Sequence, residues 1–101
     1  AVDAQDTVVQ NFVAAYRTRY GQAPDDVAAL TYDAVYLMRR AIETAGRRDR
    51  KALREAVAGI RDFSGVTGCM EFTPGSGDPR KSAVILKIAG DKFKWFATVN
   101  P

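Results

Sequence analysis

The sequence contains no histidine and a single cysteine, Cys69. Without His the chain lacks the commonest general base near neutral pH and the commonest metal ligand. Ser/His/Asp triads, Cys/His nucleophiles and His-based zinc sites are therefore excluded within it. One cysteine cannot close an internal disulfide, and without a His it belongs to no Cys/His zinc cluster. No apolar run approaches the roughly 20 residues that span a bilayer, and the longest, around Ala83 to Ile88, is broken by Lys87. The opening residues Ala1-Val2-Asp3-Ala4-Gln5-Asp6 show no basic segment followed by an apolar one, so they do not read as a signal or transit peptide. Internal repeats and low-complexity tracts are also missing.

What is present suits one soluble folding unit or a piece of one. Of 101 residues, 47% are apolar and 27% charged, enough apolar surface to offset chain entropy and too little length for two lobes. Fifteen basic against twelve acidic residues leave a net charge of +3, a small excess that is weak grounds for an anionic partner.

Three helical patterns come first. Val9, Phe12, Val13, Tyr16 and Tyr20 keep three-four spacing behind a capping Asp3 or Asp6, and Gly21 is placed to end this helix, which is expected over residues 4–20. A wider stripe, Leu30, Ala34, Leu37, Met38, Ala41, Ile42 and Ala45, runs to Gly46. Asp49 then caps a shorter helix carrying Leu53, Ala56, Val57 and Ile60, and the two form a helical pair over residues 26–60. The period changes to two after Ile60. Val66, Gly68, Met70 and Phe72 alternate with Thr67, Cys69 and Glu71, and Pro74 to Pro79 is a turn-rich break. Val84, Leu86 and Ile88, a turn at Gly90-Asp91, then Phe93, Trp95, Ala97 and Val99 predict a β-hairpin over residues 82–99 within a strand region of 66–99.

Few residues invite chemistry. Asp25-Asp26 with Asp33, or Glu71 with Asp78, are conceivable acid and base partners, but adjacent aspartates at a helix start are usually capping and dipole groups. Gly75-Ser76-Gly77 lacks the Lys-Ser/Thr ending and following helix of a phosphate loop and reads as a turn. Asp78-Pro79-Arg80-Lys81 has too few spaced oxygens for a calcium loop, so no metal site, cofactor or catalytic residue is expected. Seven basic residues fall between Arg39 and Arg54, the one stretch suggesting a nucleic-acid-binding α+β module. Glu43, Asp49 and Glu55 interleave with them and stacking aromatics are missing, which favours a solvated surface and no nucleic acid. An aromatic strand with Phe93, Trp95 and Phe96 beside Lys92 and Lys94 is more often core than a stacking platform. Tyr32 and Asp33 are read at the beginning of the second apolar helix, where free N–H groups favour an anion. A ligand-facing corner and a local cap, with Thr31 or Asp33 closing the first turn, stand as equal readings there.

The run Phe12-Val13-Ala14-Ala15-Tyr16-Arg17-Thr18-Arg19-Tyr20-Gly21-Gln22-Ala23-Pro24, followed by Ala28-Ala29-Leu30-Thr31-Tyr32-Asp33-Ala34-Val35, resembles the late region of branched-chain amino acid type periplasmic solute-binding proteins. The resemblance continues through Ala41 to Gly46, Lys51 to Val57, Phe63 to Gly68, Phe72 with Gly77-Asp78, and Ile85 to Phe93. It implies an α/β chain, the C-terminal fragment of a type I periplasmic-binding-protein fold, with three helices followed by a strand and a hairpin. It implies a non-enzymatic, extracytoplasmic role: capture of an amino acid or related solute between two lobes and delivery to an ABC permease, or ligand sensing in a receptor of the same fold. By the same resemblance Thr31, Tyr32 and Asp33 line the cleft, the helix of residues 4–20 packs in one lobe, the pair of 26–60 packs in the other, and the last strands make the return crossing. Partners are then the remainder of the protein, the ligand and the permease, and the chain alone is expected to self-associate.

Overall fold

The computed structural model describes residues 6–100, so Asp3 and the expected helix start at residue 4 lie outside the described residues. Each helix begins on an aspartate whose side chain accepts a first-turn N–H. Asp6 takes Val8 N–H (2.8 Å) before α1 (Thr7–Tyr20), Asp25 takes Ala28 N–H (2.8 Å) before α2 (Asp26–Ala45), and Asp49 takes Ala52 N–H (2.9 Å) before α3 (Arg50–Ala58). Gly21 and Gly46 close α1 and α2 in left-handed conformation, at φ 74° and 67°.

Strands β1 (Phe63–Gly65), β2 (Gly68–Phe72) and β3 (Pro79–Lys81) form an antiparallel sheet in that order, with Phe63 opposite Met70 and Met70 opposite Lys81. Two of these strands go beyond the sequence reading. Val66 and Thr67, expected to open a strand, instead make the turn between β1 and β2. Pro79 to Lys81, hidden behind a turn-rich stretch, form an edge strand, where the missing proline N–H does least harm. Met70 and Phe72 do point inward. Ala41, Ile60, Phe63 and Met70 make the core, flanked by Leu37, Ala56, Val57 and Phe72, so α2 and α3 are pinned to one face of the sheet.

Strands β4 (Ala83–Ala89) and β5 (Lys92–Val99) pair only with each other. Val84–Thr98, Leu86–Trp95 and Ile88–Phe93 share one face; Ala83–Val99, Ile85–Ala97, Lys87–Lys94 and Ala89–Lys92 share the other. A register shift between Ile85 and Leu86 leaves Phe96 as an extra residue in β5, and its ring lies 5.9 Å from the Lys87 ammonium.

The chain is extended for its size. Its radius of gyration is 15.4 Å, against about 13 Å for a compact domain of this length. Its accessible area is 7465 Å², against about 5,600 Å² for a folded monomer of this mass. The excess is apolar in large part. Val27, Val35, Met38 and Ile42 leave a stripe open along α2, and Ile88 and Phe93 of the hairpin are 74% and 72% exposed.

Candidate functional site

Tyr32 and Asp33 sit in the second turn of α2 or beyond, because the helix starts at Asp26 with Asp25 as its cap. The premise that they stand at a helix start is thereby corrected: neither Thr31 nor Asp33 caps this helix, and the N–H groups around them are already bonded within it. The physical cause is Asp25, whose side chain caps the helix directly after Pro24, so that Val27, Ala28 and Ala29 continue the helix backwards from the apolar stripe.

The three residues face different surroundings. Asp33 is 2% exposed and aimed at the β1–β2 turn. Its Oδ1 accepts Val66 N–H (2.8 Å) and its Oδ2 accepts Thr67 N–H (2.8 Å) and the Thr67 hydroxyl. Lys81 Nζ donates to the same Thr67 oxygen at 2.7 Å. Gly65 gives the carboxylate its room, since a Cβ there would collide with it. Burial pushes the Lys81 ammonium below the usual lysine range, opposed by the negative charge of Asp33 and the Cys69 thiol. The Asp33 carboxylate thus fastens α2 to the β1–β2 turn through three donors, with Lys81 of β3 joined to it through Thr67, and no buried side-chain polar atom among the described residues lacks a partner.

Tyr32 points the other way, toward α1. Its ring is 4.6 Å from Phe12 and 4.7 Å from Tyr36. Phe12 lies 6.0 Å from Tyr16, which lies 4.6 Å from Tyr20. Hydrogen bonding with Tyr36, then burial, then the charge at Tyr36 and Asp33, hold the Tyr32 phenol above its ordinary value. This row of five rings lines an open groove of about 850 Å³ between α1 and α2, with Thr31, Asn11 and Arg19 on its wall. Rings with offset, tilted neighbours and a few polar groups can hold a small solute with an apolar body. A second hollow of about 390 Å³, lined by Asp33, Arg39, Arg40 and Phe63, adjoins the groove and shares Tyr32 and Tyr36 with it.

The structure therefore brings Thr31 and Tyr32 to one groove and turns Asp33 away from it into the protein. Thr67 and Lys81, which complete the polar cluster, were not among the residues the sequence offered for a ligand site. The signal available was the pair Gly65 and Gly68 bracketing Val66-Thr67, a sign of backbone held close to another group. Other candidates have plain occupations. Asp25 and Asp26 accept first-turn N–H groups, and Glu71 faces Arg80 at 3.9 Å. In the basic stretch Arg39 pairs with Glu43 (3.0 Å), Arg47 with Asp49 (2.6 Å), and Arg40 donates to the Arg61 carbonyl (3.0 Å). Among the described residues no group of three or more His, Cys, Asp or Glu is placed to hold a metal ion. No described helix is long and apolar enough to cross a membrane.

Against known proteins, the family model described as periplasmic binding protein matches residues 1–92. Among solved structures, a protein from Rhodospirillum rubrum assigned to branched-chain amino acid ABC transport is 37% identical over 95% of this chain, at a TM-score of 0.86. A leucine-binding protein from Thermotoga maritima is 34% identical over 97%, at 0.77. A solute-binding protein from Rhodopseudomonas palustris, in complex with 3,4-dihydroxybenzoic acid, shares the fold at 22% identity over 98% and a TM-score of 0.82. This chain spans 28% of the length of each of these three. No curated protein matches it.

Proposed function

Because the chain belongs to the periplasmic binding protein family, we propose that it is the C-terminal portion of an extracytoplasmic solute-binding protein, which holds an amino acid or related solute between two lobes and hands it to an ABC permease. The observation that carries this reading is similarity above 30% over nearly the whole chain to two proteins named for leucine or branched-chain amino acids. Thr31 and Tyr32 are the ligand-facing residues of this portion, on the wall of the α1–α2 groove, and Asp33 holds their helix in place from behind. The helix α1 meets α2 through a seam of aromatic side chains rather than a packed backbone interface, which supports a crossing between lobes at residues 21–25. The hairpin, separate from the three-stranded sheet, supports a return crossing after Lys81.

The remainder of the same protein is the partner of the open apolar faces, given relatives more than three times as long. Alone, the chain hides those faces by self-association, and light scattering showing a strict monomer would count against that part of the reading. Calorimetry of the full-length protein against amino acids and small aromatic and aliphatic acids tests the function. Saturable binding of at least one class is expected, weakened about tenfold, or about 1.4 kcal/mol, by Tyr32→Ala. Absence of binding across the whole panel would sink the proposal.

A further inference from the structure

The two sheets of the molecule are joined through one residue. β3 ends at Lys81, β4 begins at Ala83, and Ser82 between them is 8% exposed. A link between independent sheets is ordinarily a free loop, whereas this one is tied down twice to the same residue. Ser82 N–H donates to the Cys69 carbonyl at 2.9 Å, and Cys69 N–H donates to Ser82 Oγ at 3.0 Å. Gly68, at φ 109°, supplies the slot: a Cβ there would collide with Ser82 Oγ. The preceding residue is tied as well, through Lys81 Nζ to Thr67 and from Thr67 to Asp33.

A run of hydrogen bonds therefore leads from the middle of α2, through the β1–β2 turn, to Lys81, and Ser82, tied to Cys69, follows it as the last residue before the hairpin. Beyond Ser82 the hairpin makes no strand pairing with that body. We propose that Ser82, backed by Lys81, Thr67 and Asp33, is a positioning residue that anchors the return strand to the helical body and fixes the point from which the hairpin projects. The hydroxyl matters because it satisfies the Cys69 N–H that β3 leaves unpaired when the chain departs toward β4. With it, the departure angle is set by two bonds of opposite sense; without it, one bond remains and the strand can pivot about it. The effect on ligand binding rests on the two-lobe reading above. The anchor itself does not.

The test uses full-length protein with Cys69→Ser, carrying one spin label on α3 at Lys51→Cys and one at the hairpin turn at Asp91→Cys. In the ligand-free protein, Ser82→Ala is expected to broaden the distance distribution between the labels, and Ser82→Thr, which keeps the hydroxyl, to retain the parental width. Ligand affinity should fall about fivefold in Ser82→Ala as the competent geometry becomes a minor population. An unchanged width in Ser82→Ala, even with a lowered melting temperature, would overturn the proposal by reducing Ser82 to a stabilising contact. Should Ser82→Ala fail to fold, Lys81→Met cuts the next bond in the run and carries the same expected broadening, and its unchanged width is equally fatal. If the parent binds no solute, the functional reading fails while the distances still decide the anchor.

Discussion

The helix–sheet body and the β4–β5 hairpin are built from similarly apolar sequence and end in opposite states. In the body, Ala41, Ile60, Phe63 and Met70 are nearly closed off from water, while in the hairpin no residue is buried and Ile88 and Phe93 stand almost fully open. Apolar alternation is enough to make a ribbon pair, but a ribbon of two strands has nothing to pack against and is at best marginal in water. The body differs in having a second layer, helices on a sheet, and a buried carboxylate that fixes how the two meet. Local pattern decides the element; a partner decides its stability.

The sharpest way to break this contrast is to remove what fixes the body. Asp33→Ala leaves one buried N–H group, one half-buried N–H group and a hydroxyl without their acceptor, and should cost about 4 kcal/mol on the scale of charge-assisted hydrogen bonds. Urea unfolding of the full-length protein measures it. A loss below about 1 kcal/mol would mean that water or neighbours replace the carboxylate. Met70→Ala, which empties the centre of the core, should cost about 3 kcal/mol by the same measurement.

The hairpin should answer differently according to what surrounds it. In the 101-residue chain, diluted until light scattering shows the monomer, Ile88→Ser should change stability by less than about 0.5 kcal/mol, as at any open surface. In the full-length protein the same change should cost about 2 kcal/mol, because the side chain is then covered. Equal costs in both settings would show that the rest of the protein leaves Ile88 wet. The smallest effect concerns Lys81. Its folded pKa is depressed, so between that value and the unfolded lysine value near 10.4 the unfolded chain binds more protons, and stability contributed by this residue rises with pH across that window. Tyr32, with a raised pKa, works in the opposite sense above pH 10. The difference between parent and Lys81→Met isolates the lysine, and a difference that stays flat with pH would refute the burial of its charge.

Much of the helical architecture was legible, because each helix announces itself by an aspartate cap, a three-four stripe and, for the first two, a closing glycine. The hairpin was legible for the parallel reason that period-two alternation flanks Gly90-Asp91. What escaped were elements whose cause is tertiary. Short β1 and β3 have too few residues for a period, and they exist because β2 lies between them and because Asp33 gathers Val66 and Thr67 into a turn. Of the candidate site residues, Thr31 and Tyr32 lie on the wall of the α1–α2 groove, while Asp33 was placed at a helix end it does not occupy. Its neighbours 30 to 50 residues away along the chain are invisible to any local pattern.

The extra residue Phe96 has a further consequence for depth. Near Ser82 the ribbon is apolar on both sides, with Val84 and Leu86 on one and Ile85, Ala97 and Phe96 on the other. Toward the turn, one side passes to Lys87, Lys94 and Lys92. Such a gradient suits a wedge: a root that needs cover above and below, as strands inside layered α/β sheets do, and a tip with one flank left to water.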